Sequence, residues 1–186
     1  MKKIAIIGKL YKKVSLFLAA LVVAVGCIPS LPAAAETGGY PDWNATDCSG
    51  TYGIYSWCKG GTWLSSRGYG YRNCVDYAAW KVASLGVTSA QYGGLNNAKY
   101  WNDNAASHGL VANTTPAVGA IAVDESGTFG HIAFVESVGG NNIISVSEYN
   151  KQGNGNYDTR TGTPAALLFI VCPLRSIRTD IPVIHG

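Results

Sequence analysis

Two residues have the types needed for thiol chemistry and sit where secondary structure can activate them. Cys74 lies at the start of a run, residues 73–85, that reads as a helix. On the first turn of a helix, the unpaired N–H groups and the positive end of the macrodipole favour a thiolate, the nucleophilic form of cysteine. The plainer reading of the same residue is a small buried core side chain, because cysteine is among the most buried types. His131 opens a β-rich run, 131–138, which Gly139-Gly140-Asn141-Asn142 joins to a second, 143–149. A two-residue hairpin loop at Gly140-Asn141 sets Gly139 opposite Asn142. Counted back along both strands, that register sets His131 opposite Asn150, with Glu148 diagonally in reach on the same face. A slip of one residue would break the arrangement. A histidine with a carboxylate and an amide to orient it is a general base, and Cys74 beside it would complete the logic of nucleophilic catalysis. His108 and His185 have weaker cases. The first ends a helical run with no carboxylate in view, and the second is one residue from the end.

The elements that must position these groups are legible in outline. In 73–85, Asn73 suits the N-cap, Asp76 the first turn and Gly86 the C-terminal cap. Val75, Ala78, Ala79, Val82 and Leu85 recur at helical spacing and predict the buried face. A second helix is expected over 97–106, ended by Gly109. Strands are expected at 119–123, 131–138, 143–149 and 167–172. Helices followed by an antiparallel sheet predict an α+β domain. Residues 36–66 are rich in Gly, Tyr, Trp and Ser without lasting periodicity, and read as irregular structure packed by its own aromatics. The Gly/Asn-rich stretch 153–162 reads as a connection, and the tail 173–186 gives no clear signal.

Of the 186 residues, 47% are hydrophobic, 11% aromatic and 13% charged, which excludes a disordered chain. The formal charge of +3 is misleading about partners. Lys2, Lys3, Lys9, Lys12 and Lys13 precede an apolar run, 14–28, too short to span a bilayer as a helix, and Ala33-Ala34-Ala35 fits a signal-peptidase site. Residues 1–35 are therefore expected to be a secretory signal peptide, with lipidation at Cys27 or an uncleaved anchor as alternatives. The remaining chain holds 9 basic and 11 acidic residues, a net charge of −2, so a basic nucleic-acid surface is not supported. No membrane span is expected after cleavage. Export permits disulfides, and Cys48 and Cys58, ten residues apart, are expected to pair. Cys172 is expected to be a buried strand residue. No His/Cys cluster supports a zinc site. Nothing in the sequence reads on oligomeric state.

Three further stretches extend the pattern around Cys74 and His131. Tyr69-Gly70-Tyr71-Arg72-Asn73-Cys74-Val75-Asp76-Tyr77-Ala78-Ala79-Trp80 is followed by Asn97-Ala98-Lys99-Tyr100-Trp101, then by Pro116-Ala117-Val118-Gly119-Ala120-Ile121-Ala122-Val123. Gly130-His131-Ile132-Ala133-Phe134-Val135-Glu136 and Val146-Ser147-Glu148-Tyr149-Asn150 complete it. In this order and spacing, residues 67–172 resemble the CHAP family of cysteine, histidine-dependent amidohydrolases/peptidases. The resemblance implies a papain-like fold and hydrolysis of an amide bond in bacterial peptidoglycan, by an endopeptidase or an N-acetylmuramoyl-L-alanine amidase. Carried over, Cys74 is the nucleophile, His131 the base, Glu148 the orienting third member and Asn150 a supporting polar group. The Cys74 backbone N–H is one expected oxyanion donor, and a second is expected upstream, among residues 67–73. Ala120 and Asp124 depart from the family pattern, at positions without a catalytic role. Some relatives bind calcium through acidic residues ahead of the nucleophile. No Asp or Glu lies between Cys48 and Cys74, so no metal or other cofactor is expected.

Two rivals stand beside this reading. Asp47-Cys48-Ser49-Gly50 resembles the nucleophile motif of the NlpC/P60 wall hydrolases, which would make Cys48 the nucleophile. Alternatively, Trp43, Trp57 and Trp63 form a sugar-stacking face on a non-catalytic, secreted wall-binding module. Either way the expected partner is peptidoglycan and the expected location is secreted or cell-wall associated.

Overall fold

The computed structural model describes residues 37–54, 56–163 and 168–171. The expected signal peptide with Cys27, and Cys172, His185 and the tail, lie outside the described residues. A six-stranded antiparallel sheet carries the domain. Its strands in chain order are β3 (Val111–Asn113), β4 (Ile121–Asp124), β5 (His131–Val138), β6 (Ile144–Tyr149), β7 (Tyr157–Gly162) and β8 (Leu168–Val171). They lie in the order β3-β8-β4-β5-β6-β7. Before them come β1 (Thr46–Asp47), the short helix α1 (Ser49–Tyr52), β2 (Trp57–Cys58), the main helix α2 (Cys74–Ser84), α3 (Ser89–Tyr92) and α4 (Trp101–Ala105). The fold is the expected α+β arrangement.

Alternation along the sheet divides the core. Ile121, Val123, Ile132, Phe134, Tyr149 and Ile170 share the main core with Tyr77, Ala78 and Val82 of α2. Ala122, Ala133, Val135, Val146 and Phe169 fill a smaller core on the opposite face. The buried stripe of α2 differs from the expected one. Tyr77 is buried, whereas Leu85, just past the helix, is half exposed. Asp76 is fully buried rather than capping the first turn from solvent.

The second expected helix exists in three pieces: a 3-10 turn at Ala98–Tyr100, α4, and a 3-10 turn at Ala106–His108, ended by Gly109 at φ 70°. Residues 36–66 are less irregular than expected. β1 and β2 pair, with Thr46 opposite Cys58 and Asp47 opposite Trp57. Tyr40 sits in the main core with no exposed surface. The stretch 153–162, expected to be a connection, supplies the edge strand β7.

The β5–β6 hairpin reaches the expected register by another route. The loop is a three-residue turn, Gly140–Asn142, with Asn141 and Asn142 both at φ 57°. Near it, Val138 pairs with Ile144 and Ser137 with Ser145, one residue off the two-residue-loop register. A bulge between Val135 and Ser137 absorbs the difference, so Val135 pairs with Val146 and Phe134 with Ser147, as expected.

Candidate active site

Cys74 is the first residue of α2 and, among the described residues, the cysteine left as a free thiol. Cys48 and Cys58 form a disulfide. A cysteine held in a disulfide is no thiolate, so Cys48 is not a nucleophile and the NlpC/P60 alternative fails. His131 is the first residue of β5, and its side chain is 12% exposed. Its Nε2 lies 2.8 Å from Oε2 of Glu148. The ring lines the same groove as Cys74, close enough for the cysteine to raise its pKa. With Nε2 committed to Glu148, Nδ1 is the nitrogen left to face the sulfur.

Glu148 is fully buried near the end of β6. Its second oxygen, Oε1, accepts a 2.8 Å bond from Nε of Arg160 on β7. Burial alone would raise the Glu148 pKa, but the bonds from His131 and Arg160 outweigh it and hold the carboxyl below the ordinary value. Burial alone would likewise lower the His131 pKa. The interactions with Cys74 and Glu148 override burial and push it up to about 9. The ring therefore carries its proton at neutral pH.

Asn150 is placed differently. Its Nδ2 donates 2.8 Å to Oδ1 of Asn73, and its Oδ1 accepts the Gly155 N–H at 2.7 Å. Asn73 is the N-cap by position but makes no side-chain capping bond. Its amide instead ties the residue before Cys74 to the end of β6.

Two arginines brace the same segment. Arg72, at φ 58°, holds a backbone conformation costing about 1–2 kcal/mol for a non-glycine residue. Its guanidinium offsets that cost by donating to the carbonyls of Gly155 (2.8 Å) and Ala45 (2.9 Å) and to Oδ1 of Asn156 (3.2 Å), over the Trp57 ring. Gly155, at φ 65°, has no room for a side chain: a Cβ there would stand 2.3 Å from Trp57. Beneath this latch, Arg67 donates to both oxygens of Asp76, at 2.9 and 2.6 Å, and to Asp42 at 2.5 Å. The hydroxyls of Tyr40 and Ser65 also bond Asp76. The Arg72 N–H donates to the Tyr40 oxygen at 3.2 Å, linking the two arginines. Burial and the neighbouring Asp76 hold the Tyr40 phenol protonated, so it serves as donor to that carboxylate. Sequence reading missed Arg67, Arg72, Asp76 and Arg160. The available signal was a buried-type aromatic environment around isolated charges, which needs partners that spacing does not reveal.

A groove of about 870 Å³ runs past the thiol. Asn73, Cys74, His131, Asn150 and Lys151 line its polar side. Tyr52, Ile54, Trp63, Leu64 and Phe129 line its apolar side, all exposed to solvent. Gly130, at φ 71°, lets the chain enter β5 close against Lys99, whose N–H a Cβ would meet at 2.6 Å. Of the three tryptophans considered for sugar stacking, Trp63 lies in the groove and Trp57 is buried beneath Arg72. Trp43 is exposed but does not line the groove. Among the described residues no group of three or more His, Cys, Asp or Glu side chains could hold a metal ion. Nor is any described helix long and apolar enough to cross a membrane.

A helix-borne thiol facing a strand-borne histidine and buried carboxylate places the protein among papain-like α+β domains. Residues 64–150 match the model of the CHAP domain. The chain is 40% identical over 100 residues to a probable autolysin of Staphylococcus aureus, covering 53% of this chain and 35% of the relative. It is 38% identical over 95 residues to an N-acetylmuramoyl-L-alanine amidase of Staphylococcus haemolyticus, covering 48% and 28%. The crystal structure of an N-acetylmuramoyl-L-alanine amidase from Staphylococcus aureus superposes with a TM-score of 0.51 at 28% identity, covering 58% of this chain and 32% of that one. The chain thus spans about a third or less of these relatives' lengths.

Proposed function

We propose that the chain is an exported peptidoglycan hydrolase that cleaves the amide bond joining the glycan to the stem peptide, with Cys74 as nucleophile. The observation that carries this is His131, bonded to Glu148 and interacting with Cys74, opening on a groove with one apolar and one polar side. Export rests on the N-terminal pattern and on the disulfide.

In the first step Cys74 Sγ, its proton held by His131, attacks the amide carbonyl carbon. The carbon–nitrogen bond breaks, and the imidazolium gives its proton to the leaving amine. Water then gives a proton to His131 as its oxygen attacks the thioester. The carbon–sulfur bond breaks, releasing the acid and restoring the thiolate–imidazolium pair. Glu148 orients the ring and stabilises its charged form, and Arg160 keeps that carboxylate ionised. The oxyanion forms against the Cys74 N–H at the helix start. The upstream donor we assign to Nδ2 of Asn73: Oδ1 is occupied by Asn150, and the residue borders the groove. Asn150 and Arg72 act through Asn73 and Cys74 as positioning residues.

The glycan-side bond is favoured by the exposed rings of Tyr52, Trp63 and Phe129, which offer stacking faces to a sugar. The amidase among the relatives supports the same choice. Mass spectrometry of fragments released from purified peptidoglycan tests it. Free lactyl carboxyls on the glycan with intact stems are expected. Cuts within the stem would make the protein an endopeptidase, and binding without new ends would make it a wall-binding module.

A further inference from the structure

The groove carries very little charge, and its placement is informative. Among the described residues lining it, Lys151 is the one Lys, Arg, Asp or Glu side chain. A neighbouring pocket of about 360 Å³ is lined by Asp47, Ser49, Ile54, Trp57, Gly153 and Asn154, and its one charged side chain is Asp47. The two spaces adjoin, since Ile54 and Gly153 line both. The groove that holds the thiol thus carries a cation, and the space adjoining it an anion.

Neither charge is held in a close ion pair among the described residues. Lys151 Nζ lies 3.9 Å from Oδ2 of Asp124, beyond hydrogen-bond distance, while Oδ1 of Asp124 accepts the Ser126 N–H. Lys151 follows Asn150, which is bonded to the residue before Cys74, and lines the same groove as the thiol. Asp47 makes no ion pair among the described residues. Its Oδ1 accepts the Ser49 N–H at 2.8 Å. Those bonds from Ser49 lower its pKa and keep it a carboxylate. Trp57, its partner across the β1–β2 pair, is pinned under Arg72, so the pocket floor is set.

We propose that Lys151 and Asp47 are two charge-reading subsites of one groove, Lys151 for a free carboxylate close to the scissile bond and Asp47 for a primary ammonium further along. The substrate class is then a peptide stem that carries both groups unmodified. This rests on the peptidoglycan-hydrolase reading and adds which chemical form of the stem is accepted. Amidation of the carboxylate or acylation of the amine would each remove one attraction.

Binding is measured in the Cys74→Ala background, so that turnover does not enter. The probe is an N-acetylmuramoyl peptide of L-alanine, D-glutamate and L-lysine with its carboxylates and side-chain amine free. It is compared with its glutamate carboxamide and its side-chain N-acetyl derivative. Exposed ion pairs predict that each modification weakens binding about two- to five-fold. Adding Lys151→Gln should abolish the response to amidation and leave the response to acetylation. Adding Asp47→Asn, which keeps the acceptor for Ser49, should do the reverse. Lys151→Arg should retain the amidation response. Unchanged responses in the variants, no response in the parent, or no binding of the free probe would overturn the proposal. Cleavage of the same probe by the wild-type protein is scored separately. Failure there sinks the hydrolase reading, while the dissociation constants still judge the subsites.

Discussion

Arg67 and Arg72 lie five residues apart and brace the same cysteine, but they are satisfied in different ways. Arg67 is paired with carboxylates, one of which, Asp76, has no exposed surface. Arg72 is paired with carbonyls, an amide oxygen and a tryptophan face. Removing the first leaves a buried ion without its counter-charge. Removing the second leaves only neutral acceptors unpaired, two of them carbonyls of the buried Ala45 and Gly155. Arg67 is thus tied to folding, and Arg72 to the placement of the thiol within a folded domain.

Substitution tests that contrast most strongly at Arg67. Arg67→Met should destabilise the domain by about 3–5 kcal/mol, read from denaturant midpoints, because Asp76 is stranded. Arg72→Met should cost only about 1–2 kcal/mol for its lost hydrogen bonds, yet lower kcat several-fold with less change in KM. Equal losses of stability at the two sites would erase the distinction. Asn150→Ala should be milder, near 1 kcal/mol, with a reduced kcat from a loosened Asn73.

A further difference separates the brace from the His131 pair, and it is visible in pH. The His131 pKa is raised from an ordinary 6.5 to about 9, so its charged form is favoured by folding. That contribution is complete below 6.5 and lost as pH rises through about 9. Stability against denaturant should therefore fall over this window in the wild type. Glu148→Gln should flatten the slope, and Arg72→Met should leave it intact. A wild-type profile that rises over that window would contradict the assignment of the charged ring.

The same contrast accounts for what could be seen in the sequence. Cys74 and His131 were legible because each begins an element with a clear period, and Glu148 follows from strand alternation once the hairpin register is right. That register holds although the loop was assumed one residue too short, because the bulge after Val135 absorbs the extra residue. The Cys48–Cys58 pair was legible from proximity in the chain. The brace was not. Asp76 looks like an ordinary first-turn acid, and only folding brings Tyr40, Asp42 and Arg67 to it from segments without periodicity. Arg160 was hidden because β7 is a polar edge strand whose residues are mostly exposed, so no alternation of burial marks it. Asn73 has the right type for a cap and spends its side chain on Asn150 instead.

The central claim is that the Cys74 thiol performs the cleavage. Purified peptidoglycan digested with wild-type protein and with Cys74→Ala, matched for thermal stability, tests it through the ends released. The account predicts new carboxyl and amino ends with the wild type and none above background with Cys74→Ala. Equal release by the two proteins would contradict it.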